Sequence, residues 1–295
     1  ESFHSQFISS TASPPYRQPL IKGKSMFTSS VIKSYSPKYK NVLKNVLQCQ
    51  GIVFIYTEYL VTGAYTLAMM LEENGFTRYS TPKYPRPAML NNISTTGQKI
   101  AKKGQYVIFD QSHMGEISSL LDAINSVQNN RGQNIKVIIG TRRIEQGISF
   151  KNVRQIHIMT PWWNMNRNKQ IIGRGSRTFS HLSLPKKERN VTIFYHVGTN
   201  ATGNSPDLRT YEKALKKQAM IDAVEQILRE NSVDCIMNAH LNQYVASNQN
   251  VVDSFGKNRM IQPNDIVTSD VQYTCSTPSS TSEIVIKKTD EIKPK

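Results

Sequence analysis

The chain has 295 residues, enough for one large domain or two ordinary ones with a sizeable core. A formal net charge of +16 favours an acidic partner, nucleic acid before a membrane surface. No apolar run approaches the ~18 residues of a spanning helix, and the polar, Ser-rich start does not read as a signal peptide.

The first residue is Glu1 rather than Met, which is expected of a fragment or a processed piece. Cys49, Cys235 and Cys275 are an odd, scattered set that forms neither a disulfide framework nor a metal-ligand spacing, so a reducing intracellular compartment is the default. Cys235, beside Asp234 in an apolar helical context, is expected to be a buried thiol.

Residues 1–35 lack periodicity and read as an irregular lead-in or linker. They contain Gly23-Lys24-Ser25, the tail of a phosphate-loop pattern. Position 18 holds Gln18 where that pattern needs its first glycine, and no apolar strand precedes it. From Ser36 to Leu47 the apolar positions Val42, Leu43, Val46 and Leu47 recur at helical spacing. Gly51 to Tyr56 is a short apolar run expected as a strand buried on both faces, followed by a helix from Tyr59 that stops at Asn74-Gly75. Residues 80–104 read as a surface loop or insertion. Further strands are expected at Gln105–Asp110, Ile135–Gly140, Arg154–Thr160 and Val191–Val197, with a helix from Glu116 to Val127. This alternation predicts an α/β fold with a mostly parallel sheet covered by helices on both faces. Residues 201–250 read as a helical extension, with a long amphipathic helix from Arg209 to Asn231 and a second candidate helix from Val233 to Ser247. Residues 251–295 read as an irregular or disordered tail.

In such a sheet, ligands sit beyond the carboxyl ends of the strands. Three segments fall there: Thr57–Gly63, Gly140–Phe150 and Trp162–Arg177. The last contains Gln170, Gly173, Arg174 and Arg177 at offsets 0, +3, +4 and +7. On a helix these would share a stripe of roughly 100°, suited to a polyanion such as a nucleotide's phosphates. The alternative is a solvated basic face. In the middle segment, Thr141, Gly147 and Ser149 beside Arg142 and Arg143 could bring backbone and hydroxyls close to a phosphate, or form an ordinary loop. Between Arg131 and Arg177 there are ten basic residues and one acid, Glu145, an excess assigned to the site. Trp162 and Trp163 could stack a base or sit in the core. His157 and His196 lie within strands and read as satisfied sheet-face histidines rather than metal ligands.

The run QIIGRGSR resembles motif VI (Q-x-x-G-R-x-x-R) of superfamily 2 helicases, GTRRIEQGISF resembles their motif V, and GIVFIYTEYLVTGAYTLAMMLEENGF resembles the motif IV region. More narrowly, VRQIHIMTPWWN, QIIGRGSR, SHLSLP and VDCIMN are similar to the nucleoside triphosphatases of large cytoplasmic DNA viruses. That group includes poxvirus nucleoside triphosphatase I, the small subunit of the poxvirus early transcription factor, and asfarvirus and giant-virus relatives. The similarity runs from Ser36 to Asn242.

The resemblance implies a RecA-like second lobe over residues 36–200. ATP and Mg2+ would be bound against a first lobe that carries the phosphate loop and the magnesium-binding acidic motif. Arg174 and Arg177 would be arginine fingers, with Arg177 on the γ-phosphate. Gln170 would position the nucleotide or the fingers, and Gly173 would permit close packing. Gly147 and Thr141 would belong to the motif linking nucleotide to nucleic-acid backbone, and Arg142 and Arg143 beside them would join the nucleic-acid surface. Tyr56, Thr57 and Gly63 would lie near the strand-tracking surface. DNA or RNA, the first lobe and a viral RNA polymerase are the implied partners, with no membrane, in the host cytoplasm or the virion. Two departures stand out. Gln146 occupies the place of the usual acid before the motif V glycine, so Glu145 is given no role. No phosphate loop or D-E-x-H motif occurs in the chain, so alone it is expected to be inactive. The rival reading is a non-catalytic basic module that binds nucleic acid or a transcription complex.

Overall fold

All five side chains of Ile52–Tyr56 (β1) are buried, which requires a strand on each side and cover on both faces. A computed structural model supplies both, describing residues 16–17, 20–21, 24–28, 31–83, 85–91, 103–109, 117–145, 147–237 and 248–261. The other strands are Phe76–Arg78 (β2), Gly104–Phe109 (β3), Ile135–Gly140 (β4), Val153–Ile158 (β5) and Thr192–Tyr195 (β6). They form one sheet in the order β6-β5-β1-β4-β3-β2, with every pairing parallel. The α/β expectation holds. The edge strand β2 is additional, because three residues are too few to carry a periodic signal.

Helix α1 (Pro37–Gln48) starts at Ser36, whose hydroxyl accepts from the Tyr39 N–H. It packs with α2 (Thr66–Glu73) on one face, over Val53, Ile55, Tyr106, Ile108, Val137 and Ile139. The other face is covered by α3 (Ile117–Asn125), α4 (Met165–Gly175) and the segment carrying Ile144, Ile148 and Phe150. Phe150 reaches Phe54 and Phe109 at centroid distances of 5.2 and 5.5 Å. Burying each such side chain contributes about 1.5–3 kcal/mol, so the two faces fix the register of the strands.

Part of the expected surface loop is tied down. Buried Glu72 on α2 accepts from Met89 N, Leu90 N and Tyr106 Oη at 2.7, 2.8 and 2.6 Å, and both Met89 and Leu90 are buried. Lys24–Ser25 pairs antiparallel with Leu20–Ile21, so those two residues lie in a strand.

Chain contacts divide the protein into two units, residues 1–218 with 250–260 and residues 219–249 with 261–295. The first holds the sheet and the start of α5 (Pro206–Glu230). A two-stranded sheet, Gln249–Val252 (β7) with Asn258–Ile261 (β8), adds Asp253 and Ser254 to the buried set, although no periodicity marks this stretch. The second holds the end of α5 and α6 (Val233–Met237). There Cys235 is disulfide-bonded rather than a simple buried thiol, since a scattered set of three cysteines gives no spacing signal for one pair. The remainder of the possible helix, 238–247, lies outside the described residues.

The turn after β1 is π-helical over Leu60–Tyr65, with Ala64 N–H donating to Tyr59 O at 3.0 Å. It brings Gly63 against Thr57, where an added Cβ would lie 2.3 Å from Thr57 Oγ1 and 3.0 Å from Cγ2. Gly63→Ala is therefore expected to destabilise the fold by about 1–3 kcal/mol, read as a lower urea midpoint at unchanged slope. Adding Thr57→Ala, which removes Oγ1 and Cγ2 and leaves only Cβ at 3.1 Å, should recover part of that loss.

Candidate functional site

β1 pairs with both β4 and β5, and its last residue, Tyr56, lies level with Gly140 and Ile158. The three segments singled out in the sequence therefore leave the sheet side by side at one edge. Across the mouth lies α4, capped by Asn164, whose side chain accepts from Arg167 N. Gln170 lines two recesses. One is narrow, against Tyr56, Ile144, Ile171 and Arg174. The other is open, against Arg142, Trp162, Asn164 and Asn166.

The helix ends earlier than the motif's spacing suggests. α4 stops at Gly175, so Gln170, Gly173 and Arg174 are helical and Arg177 is not. Phe150 N–H donates to Arg174 O at 2.7 Å, taking the carbonyl that the next helical turn would need. Arg177 is brought back by its own side chain, whose Nε donates to Gly173 O at 3.1 Å. Its guanidinium is exposed, whereas Arg174 is half-buried, with Nη1 donating to Ile148 O at 3.2 Å. A Cβ on Gly173 would meet nothing within 4 Å, so close packing within this chain does not demand glycine there. Gly175 is the closely packed glycine, with its Cβ position 3.1 Å from Val153 Cγ1.

Most of the other sequence candidates are buried. Tyr56 and Thr57 are covered, Gly63 lies beneath Thr57, and buried Thr141 donates its hydroxyl to Phe109 O. Gly147 has a φ of +76°, which favours glycine, and open space around it. Arg142 is exposed. The side chains of Arg143 and Glu145, and all of Gln146, lie outside the described residues. Among the described residues, Tyr59, Trp163 and Tyr195, the last residue of β6, are aromatics that this edge exposes to solvent. Trp163 carries the Lys217 ammonium 5.0 Å from its ring, whereas Trp162 is covered on one face by the Arg167 guanidinium at 4.0 Å.

The basic excess does not all belong to this edge. Lys136 and Arg154 sit at the amino-terminal ends of β4 and β5, and Arg131 precedes β4. Arg131 pairs with Glu188 at 2.9 Å. Arg154 is buried against Asn190 and the carbonyls of Val252 and Asp253, so it is structural.

Sequence reasoning missed Glu58. This nearly buried carboxylate lies 2.9 Å from Arg167 Nη2, accepts from Tyr56 Oη at 3.1 Å and approaches Arg142 Nε at 3.9 Å. One acid beside a strand end carries no spacing pattern, and its arginine partner is 109 residues away in sequence.

The histidines form a neutral chain. Gln155 Oε1 can only accept, so His157 Nε2–H donates to it at 3.0 Å, and His157 Nδ1 accepts from His196 Nε2–H at 2.8 Å. Gln155 Nε2 in turn donates to Ser254 Oγ at 3.0 Å. Among the described residues, no group of three His, Cys, Asp or Glu could hold a metal ion, and no helix is long and apolar enough to cross a membrane.

Residues 99–178 match the family described as helicase conserved C-terminal domain, a span from β3 through α4. Within the parallel sheet, the strands and helices of residues 99–178 are thus similar to a helicase C-terminal domain. The chain is 30% identical over 223 residues to Putative helicase 087L of Invertebrate iridescent virus 3, covering 72% of this chain and 21% of that protein. It is 30% identical over 219 residues to Putative ATP-dependent RNA helicase R563 of Acanthamoeba polyphaga mimivirus, covering 74% and 35%. An Early transcription factor large subunit homolog of African swine fever virus is 28% identical over 216 residues, covering 69% and 19%. The chain thus spans between 19% and 35% of the length of these relatives. The transcription-factor relative bears the name of the large subunit, where the motifs resembled the small one.

Burial pushes the pKa of His157 well down and that of His196 down to about 4, with Lys38 adding to the latter. Both folded values lie below the unfolded value near ~6.5, so this stabilisation is complete above that pH and is lost as pH falls from it toward about 4. Urea midpoints should decline across that window, and His196→Gln should make the decline shallower. An equally steep decline in that variant would exclude the histidine pair as its source.

Proposed function

We propose that this lobe completes a nucleotide site with a separate lobe, as the second half of a nucleic-acid-dependent ATPase or helicase of the superfamily 2 type. Arg177 and Arg174 act as arginine fingers, and Gln170 orients the nucleotide or the fingers. The observation that carries this reading is the placement of α4. It holds Gln170 in two recesses at the carboxyl edge, with an exposed Arg177 tethered to its last turn. A tethered guanidinium has lost part of its rotamer freedom before any ligand arrives, which favours contact with a phosphate group in a fixed place. Exposure favours Arg177 over Arg174 as the γ-phosphate contact. The open space at Gly173 suits approach by a group from outside the chain.

ATP and Mg2+ are held mainly by the other lobe, because the described residues offer no carboxylate cluster for the ion. Nucleic acid runs over the exposed Arg142 and its neighbour Arg143, with Gly147 shaping that loop and Thr141 supporting it from beneath. Tyr56, Thr57 and Gly63 contribute from below the surface, leaving Tyr59 as that segment's exposed contact. The lobe occupies residues 36–200 with a helical extension over 201–250. The relatives' names favour work within a transcription complex of a large DNA virus in an infected cell.

An arginine finger contributes on the order of 10³–10⁵ to phosphoryl-transfer rate. In the full-length protein, Arg177→Ala should lower ATP turnover by about that factor while leaving nucleic-acid affinity within about three-fold. This chain alone should not hydrolyse ATP above background in a phosphate-release assay. Near-normal turnover in the Arg177 variant would sink the assignment.

A further inference from the structure

Glu58 lies two residues beyond β1 and joins every segment that converges on the carboxyl edge. Its N–H donates to Thr160 Oγ1 at 3.3 Å, tying it to the end of β5. Its Oε2 takes Tyr56 Oη and Arg167 Nη2, the latter from the first turn of α4, and its Oε1 faces Arg142 from the loop after β4.

Its two arginine partners are unequal. The Arg167 side chain is 10% exposed, with its guanidinium carbon 4.0 Å from the centre of the Trp162 ring, so leaving Glu58 would strand a buried charge. The Arg142 side chain is 71% exposed and stands 3.9 Å away, too far for a hydrogen bond. An external phosphate can therefore draw Arg142 off Glu58 at little cost, whereas Arg167 stays.

We infer that Glu58 is a positioning residue that makes the seating of α4 respond to whether Arg142 is engaged by a nucleic-acid phosphate. The inference rests on the reading of α4 as the nucleotide-facing helix. With Arg142 on a phosphate, the Glu58 charge is left to Arg167 alone. Arg167 N is the group that Asn164 caps, and Gln170 follows three residues later, so the change is delivered to the turn that carries Gln170. Because Arg142 is exposed and stands 3.9 Å from Glu58, solvent screens the exchange and the coupling is modest, about five-fold.

The test is ATP turnover by the full-length protein, measured without polynucleotide and at saturating oligodeoxythymidine or oligouridine, and read as the ratio of stimulated to basal kcat. Glu58→Gln keeps an acceptor for Tyr56 and Arg167 and removes the charge. Arg142→Gln alters an exposed side chain, so it tests the coupling even where Glu58→Gln folds poorly. A merely structural loss shrinks the active fraction, scales both rates alike and leaves the ratio unchanged. Each variant is expected to lower the ratio about five-fold, with the double variant no lower than either. An unchanged ratio, or losses that multiply in the double variant, overturns the inference. Arg177→Ala separates the two failures. If it abolishes turnover while the Glu58 ratio is unchanged, only the role of Glu58 falls. If it leaves turnover intact, the reading of α4 falls as well.

Discussion

Parallel pairing of β1 between β4 and β5 is the constraint on which the rest of the site depends. Because Tyr56, Gly140 and Ile158 end level, three loops far apart in sequence must emerge together. The chain reaches β5 only by carrying Ile144, Ile148 and Phe150 across the face of the sheet, which buries them and places Ile148 O beneath Arg174. The loop after β4 and the helix that carries Arg174 are therefore packed against each other.

Electrostatics refines that arrangement. A net charge of +16 invites the thought that every cation is there for a polyanion, yet several basic residues have protein partners. Arg154 staples the start of β5 to the β7–β8 turn, Arg131 meets Glu188, and Arg167 is enclosed by Glu58, Trp162 and Tyr56. The exposed cations of the candidate site are fewer and better defined: Arg142 follows β4 at the carboxyl edge, and Arg177 follows the last turn of α4, which packs beside Val153 at the start of β5. Their separation between a loop and the end of a helix suits two kinds of phosphate, one in a strand backbone and one in a nucleotide.

How much of this was legible in the sequence follows from which features are local. The buried strands of a parallel sheet are continuous apolar runs, so Ile52–Tyr56, Gly104–Phe109 and Ile135–Gly140 declare themselves. The three-residue β2 cannot, and β7–β8 depends on polar contacts from Arg154 and Gln155 that no periodicity records. Within the candidate site, the glutamine and arginines of α4 are readable as a spacing. The early end of the helix is not, because it depends on Phe150 capturing Arg174 O. Glu58 escapes for the same reason, since its importance lies in partners contributed by the segment after β4 and by α4. Burial also redistributes roles: Tyr56, Thr57 and Thr141 sit in segments of the right kind but beneath the surface.

The central claim is that Arg177 reaches a phosphate held by another lobe. A structure of the full-length protein with ADP and a fluoroaluminate or other γ-phosphate transition-state mimic tests it most directly. The expected result is the Arg177 guanidinium within about 3 Å of the mimic's oxygens or fluorines, with its Nε still on Gly173 O. A nucleotide bound with Arg177 turned to solvent, and another side chain in that place, would contradict it.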